Sequence, residues 1–169
     1  NIRLFADMTA LENVMVGRHI RTHSGVIGAI LRTKGFKNEE SEIAERAHQL
    51  LDYVGIGKFA DYKARTLSYG DQRRLEIARA LATDPQLIAL DEPAAGMNAT
   101  EKVQLRELID RIRKDNRTIL LIEHDVKLVM GLCDRVTVLD YGKQIAEGTP
   151  AEVQKNEKVI EAYLGTGGH

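Results

Sequence analysis

Two neighbouring carboxylates, Asp91 and Glu92, directly follow an apolar segment at residues 87–90 (LIAL). At the carboxyl end of a buried parallel strand, an Asp side chain can hold magnesium directly or through water. The next carboxylate then faces a bound phosphate, where it can orient a water and accept its proton. The pair therefore fits a magnesium–nucleotide site. The alternative is a polar strand end followed by a turn, and the pair alone favours neither interpretation.

A histidine, His124, follows a second apolar segment, Thr118–Ile122. Because neighbouring parallel strands end at the same edge of a sheet, we expect His124 to lie near Glu92. An imidazole there can donate a hydrogen bond to a terminal phosphate and to the attacking water. The alternative is a solvated histidine that caps the next helix, which would be favoured if Glu92 were not close.

Ser68, Tyr69 and Gly70 come directly before a predicted helix that starts near Asp71. Free backbone amides and the helix dipole make such a position an anion site, where Ser68 offers a hydroxyl and Gly70 allows close approach of the backbone. Ordinary helix capping explains the same residues equally well. By itself this motif carries little weight.

A phosphate-binding loop of the form G-x-x-x-x-G-K-[ST] does not occur in the 169 residues. The group that would cradle the phosphates is therefore expected to come from elsewhere, and the start at Asn1 looks like a cut in a longer chain. We expect this segment alone neither to bind a nucleotide tightly nor to hydrolyse it.

Composition limits the remaining possibilities. Lys and Arg number 24 against 25 Asp and Glu, so the chain has no excess of positive charge and a nucleic-acid partner is not expected. The single cysteine, Cys133, excludes an internal disulfide and a cysteine-based metal cluster. The apolar stretch at residues 26–31 is far shorter than a membrane-spanning helix, so membrane attachment is expected only through a partner.

The pattern of apolar residues predicts the elements that position these groups. Residues 1 to 65 are expected to be helical, with one helix from a capping box at Thr9, a second at residues 24–33 and a third from Asn38 to a stop at Gly55. From Asp71 onward helices and strands alternate. The predicted helices are 71–82, 100–114, 126–132 and one from Thr149; the predicted strands are 87–90, 118–122, 136–139 and 144–147, the last two as an edge hairpin. We expect the strand 118–122 to be buried on both faces of a parallel sheet.

Taken together, these motifs resemble those of ABC transporter ATPases. Residues 67–72 (LSYGDQ) resemble the signature motif, residues 87–92 the Walker B strand with its catalytic Glu, residues 95–98 the D-loop, and His124 the H-loop histidine. Residues 73–79, 92–98 and 122–125 are most similar to the ATP-binding subunits of branched-chain amino-acid importers. The resemblance covers essentially the whole chain.

The resemblance implies a partial P-loop NTPase fold of the α/β class, with a mainly parallel sheet and a helical lobe. Its expected parts are a helical subdomain at 1–66, an α/β core portion at 67–148, and C-terminal helices with a tail at 149–169. In this family two ATP molecules are held between two such domains, each bound by the phosphate loop of one chain and the signature of the other.

The family's functional residues transfer to this sequence one by one. The catalytic residues would be Glu92 and His124, the metal ligand Asp91, and the cofactors ATP and Mg²⁺. The implied nucleotide-contacting residues are Ser68, Tyr69, Gly70, Asp71, Gln72 and Asn98. Tyr69 stands where Gly is commonest, Asp71 where Gln is usual and Asn98 where many relatives have Asp.

The resemblance implies that the protein is the ATP-hydrolysing subunit of an importer for branched-chain amino acids, in which hydrolysis is coupled to movement of the permease. Its partners would be a second ATP-binding subunit, transmembrane permease subunits and, indirectly, a substrate-binding protein. It would lie in the cytoplasm on the inner face of the membrane. Two alternatives stay open: a soluble ABC-type ATPase and a non-catalytic module that binds a permease.

Overall fold

The computed structural model describes residues 4–19 and 34–164. The elements in chain order are α1 (Ala10–His19), α2 (Lys34–Tyr53), two short 3₁₀ helices (Gly57–Phe59 and Ala64–Thr66), α3 (Tyr69–Leu81), β1 (Leu87–Asp91), α4 (Ala99–Lys114), β2 (Thr118–Ile122), α5 (Val126–Leu132), β3 (Val136–Asp140), β4 (Lys143–Gly148), α6 (Pro150–Val153), α7 (Glu157–Val159) and a π-helical turn (Ile160–Leu164). The helix predicted at 24–33 lies outside the described residues. Within the described ranges, no helix combines the length and the apolar character that crossing a membrane requires.

The chain forms two compact units. Unit 1 comprises Asn1–Ile88 and Gly96–Thr118, and unit 2 comprises Ala89–Ala95 and Ile119–His169. The signature segment and Asn98 therefore belong to unit 1, whereas Asp91, Glu92 and His124 belong to unit 2. The three-part division at 66/67 and 148/149 stays a prediction.

Helix α1 begins with the predicted capping box. Thr9 N donates to Glu12 Oε2 at 2.7 Å, and Glu12 N donates to Thr9 Oγ1 at 3.1 Å. The helix packs against α2 and α3. Its Gly17 lies so close to α3 that an added Cβ would be 2.4 Å from the carbonyl oxygen of Arg79. A small residue is therefore required at this helix crossing.

The core of unit 1 consists of the apolar faces of its helices. Helix α2 contributes Ile43, Ala47, Leu50 and Leu51, α3 contributes Leu75, Ala78 and Leu81, and α4 contributes Leu105, Leu108, Ile109 and Ile112. All of these lie at the helical spacing visible in the sequence. The turn after α2 uses Gly55 in the left-handed region, with φ 83°, as the stop signal predicted.

Strands β1 and β2 pair with each other. Thr118 N donates to Gln86 O at 2.9 Å, and Glu92 N donates to Ile122 O at 2.8 Å, so both strands run in the same direction and the pair is parallel. The expectation that β2 is buried on both faces is wrong. Leu87, Leu120 and Ile122 are exposed by 55%, 53% and 52%, because the described residues cover one face of this two-stranded sheet and leave the other open.

Unit 2 contains the predicted hairpin of β3 and β4, which is antiparallel and pairs Val136 with Gly148. Its core is formed by Val136, Val153 and Val159, with Val129, Met130, Cys133, Val138, Ile145 and Ala146 packed around them. Helix α6 begins with a second capping box, since Thr149 accepts from Glu152 N and Pro150 occupies the first turn.

Candidate functional site

Glu92 and His124 lie next to each other where β1 and β2 end. Their expected proximity is confirmed: His124 Nδ1 is 3.2 Å from Glu92 Oε1. An ionised carboxylate only accepts hydrogen bonds, so the proton of this contact sits on Nδ1. The helix that follows His124 is capped by Asp125, whose side chain accepts from Leu128 N, so His124 itself is not the cap.

Both side chains of this pair are open to solvent. The His124 side chain is 72% exposed and that of Glu92 is 55% exposed. Glu92 Oε2 and His124 Nε2 are therefore accessible to a water or to a substrate. A carboxylate beside an imidazole, both open to solvent, is able to orient a water and to accept its proton.

The backbone of Glu92 is in a conformation that L residues rarely adopt. Its φ is 44°, in the left-handed region, directly after the last residue of β1. The turn is fixed on both sides, because Glu92 N donates to Ile122 O and Ala95 N donates to Glu92 O. Such strain in a non-glycine residue is typical of functional sites, where the surrounding structure holds the side chain in a required direction.

Glu123, to which the sequence assigned no role, is the buried member of this region. Its side chain is only 1% exposed, although both neighbouring residues in the chain are exposed. Glu123 Oε1 accepts from Ala94 N at 2.8 Å, and Oε2 accepts from His124 N at 3.2 Å and from Asp125 N at 3.5 Å. An acidic residue directly after an apolar strand is the only sequence signal that pointed to it.

Asp91, the predicted metal ligand, is the exposed last residue of β1. Within the described part of the chain, no group of three or more His, Cys, Asp or Glu side chains could hold a metal ion by itself. Magnesium commonly takes one or two carboxylates and fills its other positions with water and substrate phosphates. The residues present therefore fit a magnesium ion that arrives with a nucleotide, and Asp91 would hold it.

The hydroxyl of Ser68 is engaged within the chain. Ser68 is the N-cap of α3, where its Oγ accepts from Asp71 N at 3.2 Å and donates to Asp71 Oδ2 at 2.7 Å. Helix capping is thus the arrangement in this structure. The carboxylate of Asp71 also adds a negative charge beside the amides that would receive a phosphate, and contact of Ser68 and Asp71 with a nucleotide stays a prediction.

The other signature residues also make contacts within unit 1. Gln72 Nε2 donates to Leu67 O at 3.0 Å. An added Cβ on Gly70 would lie 2.7 Å from Glu101 Oε1, so this glycine admits a side chain of α4. The ring of Tyr69 lies against Gly96, whose φ is 74° and whose added Cβ would be 3.3 Å from Tyr69 Cε1.

Arg73 is a buried cation within the signature helix that the sequence did not single out. It is 8% exposed, and it donates to Glu76 Oε2 and to Tyr69 Oη, both at 3.0 Å. Desolvation by burial opposes its charge, but the hydrogen bonds to Glu76 and Tyr69 outweigh this and raise the guanidinium pKa above its ordinary value. Arg73 therefore ties the first two turns of α3 together.

Asn98 is the N-cap of α4. Its Oδ1 accepts from Glu101 N at 3.0 Å, and its backbone N donates to Glu101 Oε2 at 2.9 Å, which completes a capping box. The side-chain amide of this exposed residue still has its donors available. The predicted nucleotide-binding role of Asn98 would rest on those donors.

Comparison with known proteins gives a consistent result. A family model described as "ABC transporter" matches residues 1–95, more than half of the chain. A second, described as "Branched-chain amino acid ATP-binding cassette transporter", matches residues 143–169.

Individual proteins agree with these family models. The chain is 48% identical over 98% of its length to the "High-affinity branched-chain amino acid transport ATP-binding protein LivG" of Salmonella typhimurium, and it spans 65% of that relative, just under two thirds. The crystal structure of the ADP conformation of MJ1267, an ATP-binding cassette of an ABC transporter, matches 95% of this chain with a TM-score of 0.76 and 32% identity, over 64% of its own length. A dimeric structure of the ATP-binding cassette MJ0796 bound to ADP and Pi matches 88% of this chain and 60% of its own, with a TM-score of 0.71 and 25% identity. The α/β fold is that of the ABC ATPases, and the chain belongs to the ABC transporter family.

Proposed function

We propose that the chain carries the signature, Walker B and H-loop parts of an ATP-hydrolysing subunit in an ABC importer for branched-chain amino acids. The observation that carries the enzymatic part is the solvent-exposed contact of 3.2 Å between Glu92 and His124. The likeness to LivG over 98% of the chain supports the transported substrate.

In this proposal Glu92 is the general base. Its Oε1 is held by His124 Nδ1, which leaves Oε2 to orient the attacking water and to take its proton. His124 then uses its outer nitrogen, Nε2, to donate to the phosphate oxygen on which charge develops, which requires a protonated ring. The left-handed backbone at Glu92 fixes the direction of the carboxylate before the substrate arrives.

Asp91 is the proposed magnesium ligand. Mg²⁺, when bound with the nucleotide, neutralises charge on the phosphoryl group that is transferred. Asp91 is the exposed last residue of β1, after the buried Leu90 and directly before Glu92. Because this carboxylate is exposed, it can coordinate the ion without a rearrangement of the protein.

The signature residues are proposed to contact the nucleotide of a second ATP-binding subunit. Ser68, Gly70 and the first amides of α3 would receive a phosphate, and the Asn98 amide would donate across the dimer. The MJ0796 cassette is dimeric with ADP and Pi, which supports this arrangement. Permease subunits, and through them a substrate-binding protein, are further proposed partners at the cytoplasmic face of the membrane.

Substitution of Glu92 by Gln tests the enzymatic role. In a full-length subunit that contains a phosphate loop, we expect E92Q to lower the rate of ATP hydrolysis by about 10²–10⁴-fold, because the amide cannot accept the proton. ATP-dependent dimerisation, measured by size-exclusion chromatography, should persist. The matched control is Glu107→Gln on the exposed side of α4, which should leave the rate unchanged.

The outcomes separate the competing functions. Wild-type hydrolysis that does not depend on Glu92 contradicts the proposed role of Glu92. No hydrolysis at all contradicts the enzyme and favours a module that only binds a permease. Hydrolysis without stimulation by a permease in proteoliposomes favours a soluble ABC-type ATPase. Permease-dependent uptake of leucine that E92Q abolishes supports the importer.

A further inference from the structure

The carboxylate of Glu123 is buried without a lysine or arginine partner among the described residues. Its side chain is 1% exposed, and the only basic group recorded near it is His124 Nδ1, 3.9 Å from Oε2. A buried carboxylate is costly unless hydrogen bonds compensate for the loss of water. Here the compensation consists of hydrogen bonds from backbone N–H groups, so the Glu123 carboxylate holds the main chain in place.

The amides that Glu123 holds belong to the two segments that carry Glu92 and His124. Ala94, whose N–H donates to Oε1 at 2.8 Å, lies two residues after Glu92. His124 and Asp125, whose N–H groups donate to Oε2 at 3.2 and 3.5 Å, form the other segment. One side chain therefore connects both segments from the inside, while the groups proposed to react point to solvent.

The hydrogen bond between Glu123 and Ala94 lies next to the strained backbone of Glu92. Between β2 and the turn after β1, the main chain contributes the hydrogen bond from Glu92 N to Ile122 O, and Glu123 adds the bond to Ala94 N just beyond the strained residue. Without the second bond, Glu92 could relax from its left-handed φ of 44°. Its carboxylate would then leave the position beside the imidazole.

We propose that Glu123 is a positioning residue for ATP hydrolysis: by bonding to the amides of Ala94 and His124, its buried carboxylate keeps the side chains of Glu92 and His124 in contact with each other. This inference rests on the proposed function. Glu123 does not touch the substrate and acts only through the two residues that do. A displacement of about 1 Å at a reacting group can lower a rate by about 100-fold.

The experiment measures kcat and KM for ATP in the full-length subunit with three variants. Glu123→Ala removes both oxygens, and we expect kcat to fall by about 100-fold while KM changes by less than about threefold, because nucleotide binding uses other residues. Glu123→Gln keeps one accepting oxygen and the volume, and should give an intermediate kcat. Glu161→Ala, at an exposed glutamate of unit 2, is the matched control and should change neither value.

A double-mutant cycle with His124→Ala separates positioning from general stability. If Glu123 acts through both members of the pair, Glu123→Ala should lower kcat by a clearly smaller factor in the His124→Ala background than in the wild type, because only its effect on Glu92 remains. Equal losses in both backgrounds would overturn the proposal, as would a kcat of Glu123→Gln equal to wild type. Failure of both Glu123 variants to fold would also overturn it, because the residue would then serve folding. An inactive wild-type subunit would instead refute the proposed function.

Discussion

The signature segment and the Glu92–His124 pair differ in how far their polar groups are satisfied inside the chain. In the signature segment, the Ser68 hydroxyl is bonded to Asp71, and Arg73 is buried and bonded to Glu76. Glu92 and His124 bond to each other through exposed side chains. The first region is thus largely bonded within the chain, with the buried Nε of Arg73 as an exception, and the second is open to solvent.

This difference separates the two kinds of free energy that substitutions can change. A residue whose groups are satisfied internally contributes to folding, and a ligand has to displace an existing bond to reach it. An exposed pair contributes little to folding and is ready for a substrate. We therefore expect changes at the pair to lower activity, and changes in the signature helix to lower stability or to alter ligand affinity.

The largest effect is expected at the open pair. His124→Ala should lower the rate of ATP hydrolysis by about 10²–10³-fold, the range for loss of one group that stabilises developing charge. Because the side chain is 72% exposed, the free energy of unfolding in urea should change by less than about 0.5 kcal/mol. His48→Ala, at an exposed position of α2, is the control. A large loss of stability in His124→Ala would contradict the comparison.

The opposite result is expected inside the signature helix. Arg73→Ala removes a buried guanidinium together with its hydrogen bonds to Glu76 and Tyr69, so the free energy of unfolding should fall by about 2 kcal/mol. Arg65→Ala removes a surface arginine whose side chain is 57% exposed, and it should cost less than about 1 kcal/mol. Urea denaturation of the full-length subunit measures both. Equal losses in the two variants would show that burial of Arg73 is unimportant.

The smallest effect is expected when the hydrogen bond between Ser68 and Asp71 in the signature segment is removed. Asp71→Gln removes a carboxylate beside the proposed phosphate position and frees the Ser68 hydroxyl, so ATP-dependent dimerisation should strengthen by about 1 kcal/mol, roughly fivefold in affinity. Asp61→Asn removes an exposed charge elsewhere in unit 1 and should have no effect. Sedimentation with ATP measures the affinity. Weaker association in Asp71→Gln would mean that Asp71 assists the dimer.

The sequence was sufficient for most of the described elements and for the meeting of Glu92 with His124. Strand Thr118–Ile122 and helix Val126–Leu132 have the predicted bounds, because an unbroken apolar run and an Asp cap mark them locally. The meeting of the pair follows from a topological rule, since parallel neighbours end at one edge. Both predictions use information within a few residues or a general rule of sheets.

The remainder depends on contacts that no local pattern encodes. Burial of the Glu123 carboxylate needs the N–H of Ala94, which is distant in sequence, so its position directly after an apolar strand could not by itself predict that burial. The exposed face of β2 was predicted to be buried, because the apolar residues of a strand show that it can be buried and do not show which other residues pack against it.

The left-handed turn at Glu92 has a consequence for the engineering of more stable variants of this protein. A non-glycine residue in that conformation costs the fold about 1–3 kcal/mol, and glycine would remove most of the cost. A laboratory selection for thermal stability alone would therefore enrich Glu92→Gly, and the selected variants would be more stable but would not hydrolyse ATP. Such a campaign needs a screen for turnover in every round.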